Sequence, residues 1–419
     1  MNYPDVRRGG RAPIAAVSAK SKYGAQSGLT DGTVPSLAMD LRIERLASAA
    51  DIEAISGEWE ALSARTSPWS PFATPTWNML WWKHYCNRQR LGSREFFVHV
   101  VRAENGQLIG VAPLLLRRIT VIGGLELRAV EFFGTDPSIT EIRGMVCELA
   151  DQPAVLEALR NHFRVAAAEW DLFRWRGIRA KAMQAFNGSA PALTSAEILP
   201  DYVLPLPRTF HSLLAGVSSN MRKNVRKAYQ LLDRDGHAFN FRAVGAVDGH
   251  NGALESFFRL HSARAQVSEM KFKHADHFTD TVNRDFIREF VGAMALQGRL
   301  RIFELEIAGE IVASRLAFLE GRELYLYYTG YDPAWRQYSV MTTLMAEIMR
   351  WAISHKLGVV NLSTGRDQSK LRWRPKEIAF MGGLERNSGW RGRVLARTYD
   401  AVAVGHRLAY RMSGYRSGS

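Results

Sequence analysis

From Asp40 onward the chain switches repeatedly between two periods of hydrophobic and polar residues. Runs such as "EFFVHVV", "RLRIFELEI" and "ELYLYYTG" are rich in β-branched and aromatic residues and predict strands. Segments such as "DIEAISGEWEALSAR", "PAVLEALRNHFRVAAAEW", "SSNMRKNVRKAYQLL" and "SVMTTLMAEIMRWAISHKLG" place apolar residues three and four apart and predict amphipathic helices. Ile52, Ile55, Trp59 and Leu62 share one stripe. Trp77, Leu80, Trp81 and Tyr85 form an aromatic cluster after Pro71 and Pro75, which reads as core because aromatics dominate burial.

Two hairpins punctuate this alternation. One turns at Asn105-Gly106 and the other at Ala308-Gly309, and "GVAPLLL" aligns with "IVASRLAFL" so that Ala112 meets Ala313. The order hairpin, strand, helix, strand recurs around both, which suggests two related halves. Pro205 and Pro207 mark a boundary between them. The expected organisation is a basic disordered arm over 1–40, one domain over 41–207, a second over 208–386 and a basic amphipathic tail over 387–419. Strands alternating with helices make the fold class mixed α/β, with central sheets flanked by helices.

Charge narrows the partners. Lys and Arg number 55 against 41 Asp and Glu, a formal charge of +14, which favours an anionic partner: a phosphorylated cofactor, nucleic acid or an anionic membrane face. Cys86 and Cys147 stand alone, so neither a zinc site nor a disulfide framework is indicated and no metal is expected. The N-terminal segment lacks the apolar core of a signal peptide, and no apolar run approaches the ~18 residues of a membrane span. The expected location is cytoplasmic, with the tail either lying on an anionic membrane face or docking on the second domain.

Candidate chemistry concentrates in the second half. In "YYTGYDPAWRQYSVMTTLM" a strand hands over to a helix whose N-cap is Ser339 and whose closing residue is Gly358. Arg336 sits at that helix N-terminus, where backbone amides can hold a phosphate. Further on, "NLSTGRDQSKLRWRP" gathers Arg366, Lys370, Arg372 and Arg374 after a turn at Gly365, with Lys370 the leading binding candidate. Arg222 and Arg226 stack at i, i+4 on the polar face of the helix after Ser218, where they meet either an anion or solvent. A two-residue turn at Ala308-Gly309 would pair Ile302 with Arg315 and Glu304 with Ala313, making Glu304 and Arg315 diagonal neighbours on one face. Glu304 would then be either half of a structural ion pair or a base held by Arg315. Tyr328 and Tyr331, at the end of the preceding strand, could protonate a leaving group or simply pack. His261, on an apolar helical face, reads as a core histidine.

The block from Tyr327 to Trp373 resembles the GNAT-superfamily acetyltransferases associated with bacterial cellulose and exopolysaccharide biosynthesis, relatives of the Fem-type aminoacyl transferases. Tyr331, Asp332, Pro333, Gly358, Gly365, Lys370 and Trp373 fall on that pattern, and "SPFATPTW", "GVAPLLL" and "SSNMRKNVRKA" resemble its earlier blocks. The resemblance covers roughly Leu41 to Leu384. It implies two GNAT-like (acyl-CoA N-acyltransferase) halves, with acyl-CoA, acetyl-CoA first, held by Arg336, Gln337, Tyr338, Ser339 and Lys370. The acceptor would be a small molecule or saccharide meeting Arg222, Arg226, Arg315 and Arg366, with Glu304, Tyr328 and Tyr331 as catalytic groups. The chain departs from the pattern at Ser339 and Met341, where small residues are usual, and at Asn361, where Asp is common. Two alternatives stay open: a Fem-type transferase using aminoacyl-tRNA, the one route to a nucleic-acid partner, and an inactive scaffold binding an anionic partner.

Overall fold

The computed structural model describes residues 40–86, 93–120, 124–136, 138–188, 193–245, 249–267, 275–389 and 391–392. Most of the expected arm and tail lies outside them. The strands are β1 (Arg42–Leu46), β2 (Ser93–Phe96), β3 (Val98–Arg102), β4 (Leu108–Ala112), β5 (Leu114–Thr120), β6 (Glu126–Phe132), β7 (Val146–Cys147), β8 (Leu172–Arg179), β9 (Thr194–Pro205), β10 (Phe239–Val244), β11 (Leu300–Ile307), β12 (Glu310–Glu320), β13 (Glu323–Tyr331), β14 (Val359–Thr364) and β15 (Lys376–Arg386). The helices are α1 (Ala49–Ala54), α2 (Ser56–Arg65), α3 (Pro75–Tyr85), α4 (Gln152–Val165), α5 (Ala180–Gly188), α6 (Phe210–Gly216), α7 (Ser219–Arg234), α8 (His250–Ala265), α9 (Thr281–Leu296), α10 (Val340–Ser354) and α11 (Gln368–Leu371).

They build a mixed α/β fold around two sheets. One has the order β1-β3-β4-β7; the other has eleven strands in the order β10-β11-β12-β13-β14-β9-β15-β8-β6-β5-β2. Strand β9 is longer than the expected "DYVLPLP" and lies between β14 and β15, antiparallel to both. Strands from either side of Pro205 therefore share one hydrogen-bonded sheet. Helices cover both faces, as the two periods dictate. Phe303, Leu305, Leu324 and Leu326 meet Val225 of α7 and Leu344 and Ile348 of α10 on one face. Ile302, Leu316, Tyr325 and Tyr327 meet Phe257 of α8 and Phe286 of α9 on the other, in a core shared with Trp59 and Trp77. Ile52, Ile55, Trp59 and Leu62 are buried as expected, although the segment breaks at Ile55 into α1 and α2.

Three local expectations are corrected. The turn at Ala308-Gly309 does have two residues, both at positive φ. A bulge at Leu305/Glu306 then slips the ladder by one, so that Arg315 faces Phe303 and Glu304 faces Ser314. A one-residue slip reverses the face of every side chain, and Glu304 and Arg315 end on opposite sides of the sheet. Helix α10 is closed by Lys356 in the left-handed conformation (φ 58°) rather than by Gly358, with Leu357 N–H donating to the Ala352 carbonyl at 3.0 Å. Ser339 occupies the N-cap of α10, but in the left-handed region (φ 55°, ψ 39°) and without the expected side-chain cap.

Candidate active site

Strands β13 and β14 run parallel, yet their ladder ends after Tyr325 and Asn361. Beyond that point the strands are not hydrogen-bonded to each other, and a cleft of about 290 Å³ opens beside them. Its walls are Met221 and Asn224 of α7, Arg264 of α8, Arg315 of β12, Thr329 and Tyr331 of β13, the Arg336–Met345 entry to α10, and the segment from Asp367 to Trp373. Five cations (Arg264, Arg315, Arg336, Lys370 and Arg372) and one carboxylate (Asp367) line it.

Local devices place Arg264, Arg315 and Lys370. A second bulge, between Arg315 and Ala317 of β12 against β13, lets Tyr327 and Tyr328 both face the α8 side while Thr329 turns to the cleft. Helix α8 crosses β13 at Gly330, where a Cβ would come within 2.3 Å of the His261 nitrogen. That close approach sets Arg264 beside the Thr329 carbonyl, at 3.4 Å. His261 is buried, its Nδ1 3.1 Å from the same carbonyl, as a core histidine should be. Asp367 caps α11 by accepting from Ser369 N–H at 2.7 Å, and that turn folds Lys370 back onto the Thr364 carbonyl and to 3.4 Å from Ser363 Oγ.

Beneath Lys370 lies a carboxylate that nothing in the sequence pattern singled out. Glu141, from the loop between β6 and β7, accepts from the Tyr325 hydroxyl at 2.6 Å and from Ser363 Oγ at 3.0 Å. The Tyr327 and Tyr328 hydroxyls donate to the Ile139 and Ser138 carbonyls, so Tyr325, Tyr327 and Tyr328 of β13 together grip one loop. Burial pushes the Glu141 carboxyl up, against the Tyr325 hydrogen bond and the nearby Lys370 charge. Burial likewise pushes the Lys370 ammonium down to about 8, against the attraction of Glu141. Next to them Asn361 donates to Asp201 Oδ2 at 2.8 Å, and burial pushes the Asp201 carboxyl up to about 6. A carboxylate from the neighbouring strand β9 thus stands beside Asn361.

The structure brings together Tyr331, Arg336, Ser339, Arg315 and Lys370 from the expected set. It places the others elsewhere. Glu304 is buried with its Oε2 2.8 Å from Arg242 Nη2 of β10, on the sheet face away from Arg315. Tyr328 is committed to the Ser138 carbonyl and packs on His261 and Phe278. Gln337 and Arg366 are exposed and do not line the cleft. Tyr338 pairs with His237 Nε2 at 3.2 Å beside Trp335. Arg222 and Arg226 line a separate open groove with Tyr229 and Arg350. Met341 lines the cleft without filling it, its sulfur 3.6 Å from the Thr329 hydroxyl.

Among the described residues no group of three or more His, Cys, Asp or Glu side chains could hold a metal ion, and no helix is long and apolar enough to cross a membrane.

No curated protein matches the chain in sequence. Among solved structures it is similar to FemX, with TM-score 0.53 and 11% identity over 81% of this chain and 96% of that one, a likeness that speaks for the fold. A conserved protein of unknown function from Bacteroides thetaiotaomicron VPI-5482 aligns at TM-score 0.44 and 14% identity over 82% of this chain and all of that one. A tandem GNAT protein from the clavulanic acid biosynthesis pathway aligns at TM-score 0.40 and 13% identity over 84% and 99%. Residues 219–371 match the family model described as an acetyltransferase (GNAT) domain, a segment that holds every cleft-lining residue except Arg372 and Trp373.

Proposed function

We propose that the cleft transfers an acyl group from acyl-CoA, acetyl-CoA first, to an amine or hydroxyl of a small-molecule or saccharide acceptor. The observation that carries this reading is the parting of β13 from β14, with Lys370 and the start of α10 at its rim, inside the segment of acetyltransferase type. The donor's phosphates would meet Arg336 and the free amides at the start of α10. The acyl carbonyl would reach Lys370, whose ammonium can stabilise the oxyanion of a tetrahedral intermediate. Glu141 lies behind the cleft wall, joined to Lys370 through the Ser363 hydroxyl, and would receive the acceptor's proton by relay through those two groups. Tyr331 lines the cleft where a departing thiolate would need a proton. A link to exopolysaccharide or envelope synthesis in the cytoplasm, with peripheral membrane contact, follows from the resemblance of the sequence blocks.

Acetyl-CoA binding by calorimetry tests the donor. Affinity is expected to fall at least tenfold in Lys370→Ala and in Arg336→Glu, and unchanged affinity in both would remove the donor site from this cleft. Native mass spectrometry of the purified protein should show a retained CoA species.

A second reading, transfer from an aminoacyl-tRNA, is favoured by one surface. Arg222, Lys223, Arg226 and Lys227 are all exposed on α7, next to Asn224 in the cleft wall. Steeply salt-dependent tRNA binding without CoA affinity would select it.

A further inference from the structure

The proposed donor site uses Arg336 and Lys370 but not the enclosed pair Arg264 and Arg315. These two come from different elements, α8 and β12, and burial, followed by the nearby Arg264 charge, weakens the hold of Arg315 on its proton. A structural arginine in such a place ordinarily faces a carboxylate. Glu141 and Asp367 act on Arg315 electrostatically, yet it forms no ion pair among the described residues, and its buried Nε has no hydrogen-bond partner there. A guanidinium offers five N–H donors in a planar fork matched to two oxygens of an oxyanion. Asp367 attracts both guanidinium groups, and a further anion between them would offset the repulsion that remains.

We infer that Arg264 and Arg315 form an anion subsite on the inner wall of the cleft, which anchors a carboxylate or phosphate group carried by the acceptor. It rests on the proposed acyl transfer for the word acceptor, and on the geometry alone for the anion. The subsite uses Arg264 and Arg315, from α8 and β12, whereas the donor's phosphates would meet Arg336 at the start of α10, so the two ligands would draw on different cations of the cleft. Its position is fixed by two devices already described: the missing Cβ at Gly330, which lets α8 deliver Arg264, and the ladder slip at Leu305/Glu306, which turns Arg315 to this face. The acceptor would therefore be an acid-bearing amine or hydroxyl, held by its acidic group with its nucleophile toward Lys370 and Glu141.

Calorimetric titration of the full chain with acetate, inorganic phosphate and neutral acetamide, each with and without saturating acetyl-CoA, tests this. Wild type is expected to bind acetate or phosphate and not acetamide, with the stronger of the two naming the acidic group, and with an affinity for it that changes less than twofold when acetyl-CoA is added. Arg315→Gln and Arg264→Gln should each weaken that anion at least tenfold while binding acetyl-CoA as wild type does, and Arg315→Lys should recover part of the loss. Thermal melting of the variants checks that they fold. Absence of anion binding in wild type, equal binding in the folded Gln variants, or competition between anion and acetyl-CoA would overturn the subsite. If acetyl-CoA does not bind but the arginine-dependent anion does, the donor reading fails and the subsite stands.

Discussion

The two ends of the cleft are built by different means. The rim is local: Arg336, Ser339, Met341 and Thr342 follow one another in a single strand-to-helix connection, and their side chains are partly or fully exposed. The floor is assembled from afar. Glu141 stands 184 residues from the Tyr325 hydroxyl it accepts and 222 from Ser363, while Asp201 comes from a third strand. The rim can change its residues one at a time and keep its shape. The floor holds its carboxylates against burial, and only the surrounding hydrogen bonds keep that cost tolerable. On the proposed function, recognition falls to the exposed end and reactivity to the buried one.

The comparison can be broken most severely at Glu141. Glu141→Gln keeps the size of the side chain but removes the proton acceptor, so the rate of acyl transfer should fall by about 10²–10⁴-fold. Acetyl-CoA affinity should stay within twofold, while the melting temperature should fall, because the amide cannot accept from both Tyr325 and Ser363 and leaves Lys370 without its buried counter-charge. A matching loss of donor binding would show that floor and rim are not separate. Next in size is Gly330→Ala, whose Cβ would collide with the backbone of α8 at His261. A cost of about 1–3 kcal/mol is expected in chemical denaturation, with the anion affinity of the inner wall falling as Arg264 moves.

A pH profile sharpens the contrast further. Lys370 holds its proton only up to about 8 in the fold, below its ordinary 10.5. Because the folded value is depressed, its contribution to stability is full above 10.5 and is lost as pH falls through 8. The ammonium needed at the oxyanion is instead present below 8, so kcat/KM should decline above that pH. Lys370→Arg should carry the decline to higher pH, and an unmoved profile would assign it to another group. The smallest effect is expected at the rim. Ser339→Gly relieves a left-handed backbone without removing a side-chain cap, and should raise stability by about 0.5–1 kcal/mol with donor affinity nearly unchanged.

The same division explains what could be read from the amino-acid sequence. The strand-to-helix connection, the hairpin turn at Ala308-Gly309 and the amphipathic α7 each announce themselves within a short window of residues, and the rim followed from them. Lys370 was legible because a turn at Gly365 and a run of cations mark its place. Glu304 was misplaced by a single bulge, which no period of hydrophobic residues reveals, and the same slip put Arg315 into the cleft. Glu141 sits in the aperiodic segment "SITEIRG", one of three charged residues, with Asp136 and Arg143, between Gly134 and Gly144, and nothing local distinguishes it from the other two. Its partners are chosen by strand order, and strand order is set by long-range pairing rather than by local pattern.

Strand β9 gives that strand order a practical edge. It is hydrogen-bonded to β14 on one side and β15 on the other. A shortened protein starting after Pro205 would carry β14 with a row of bare backbone groups on the flank of its own cleft. Such an edge invites pairing with another chain, and the fragment would be prone to self-association before its chemistry could be measured. Any smaller working version must begin before Thr194 and keep the loop that carries Glu141.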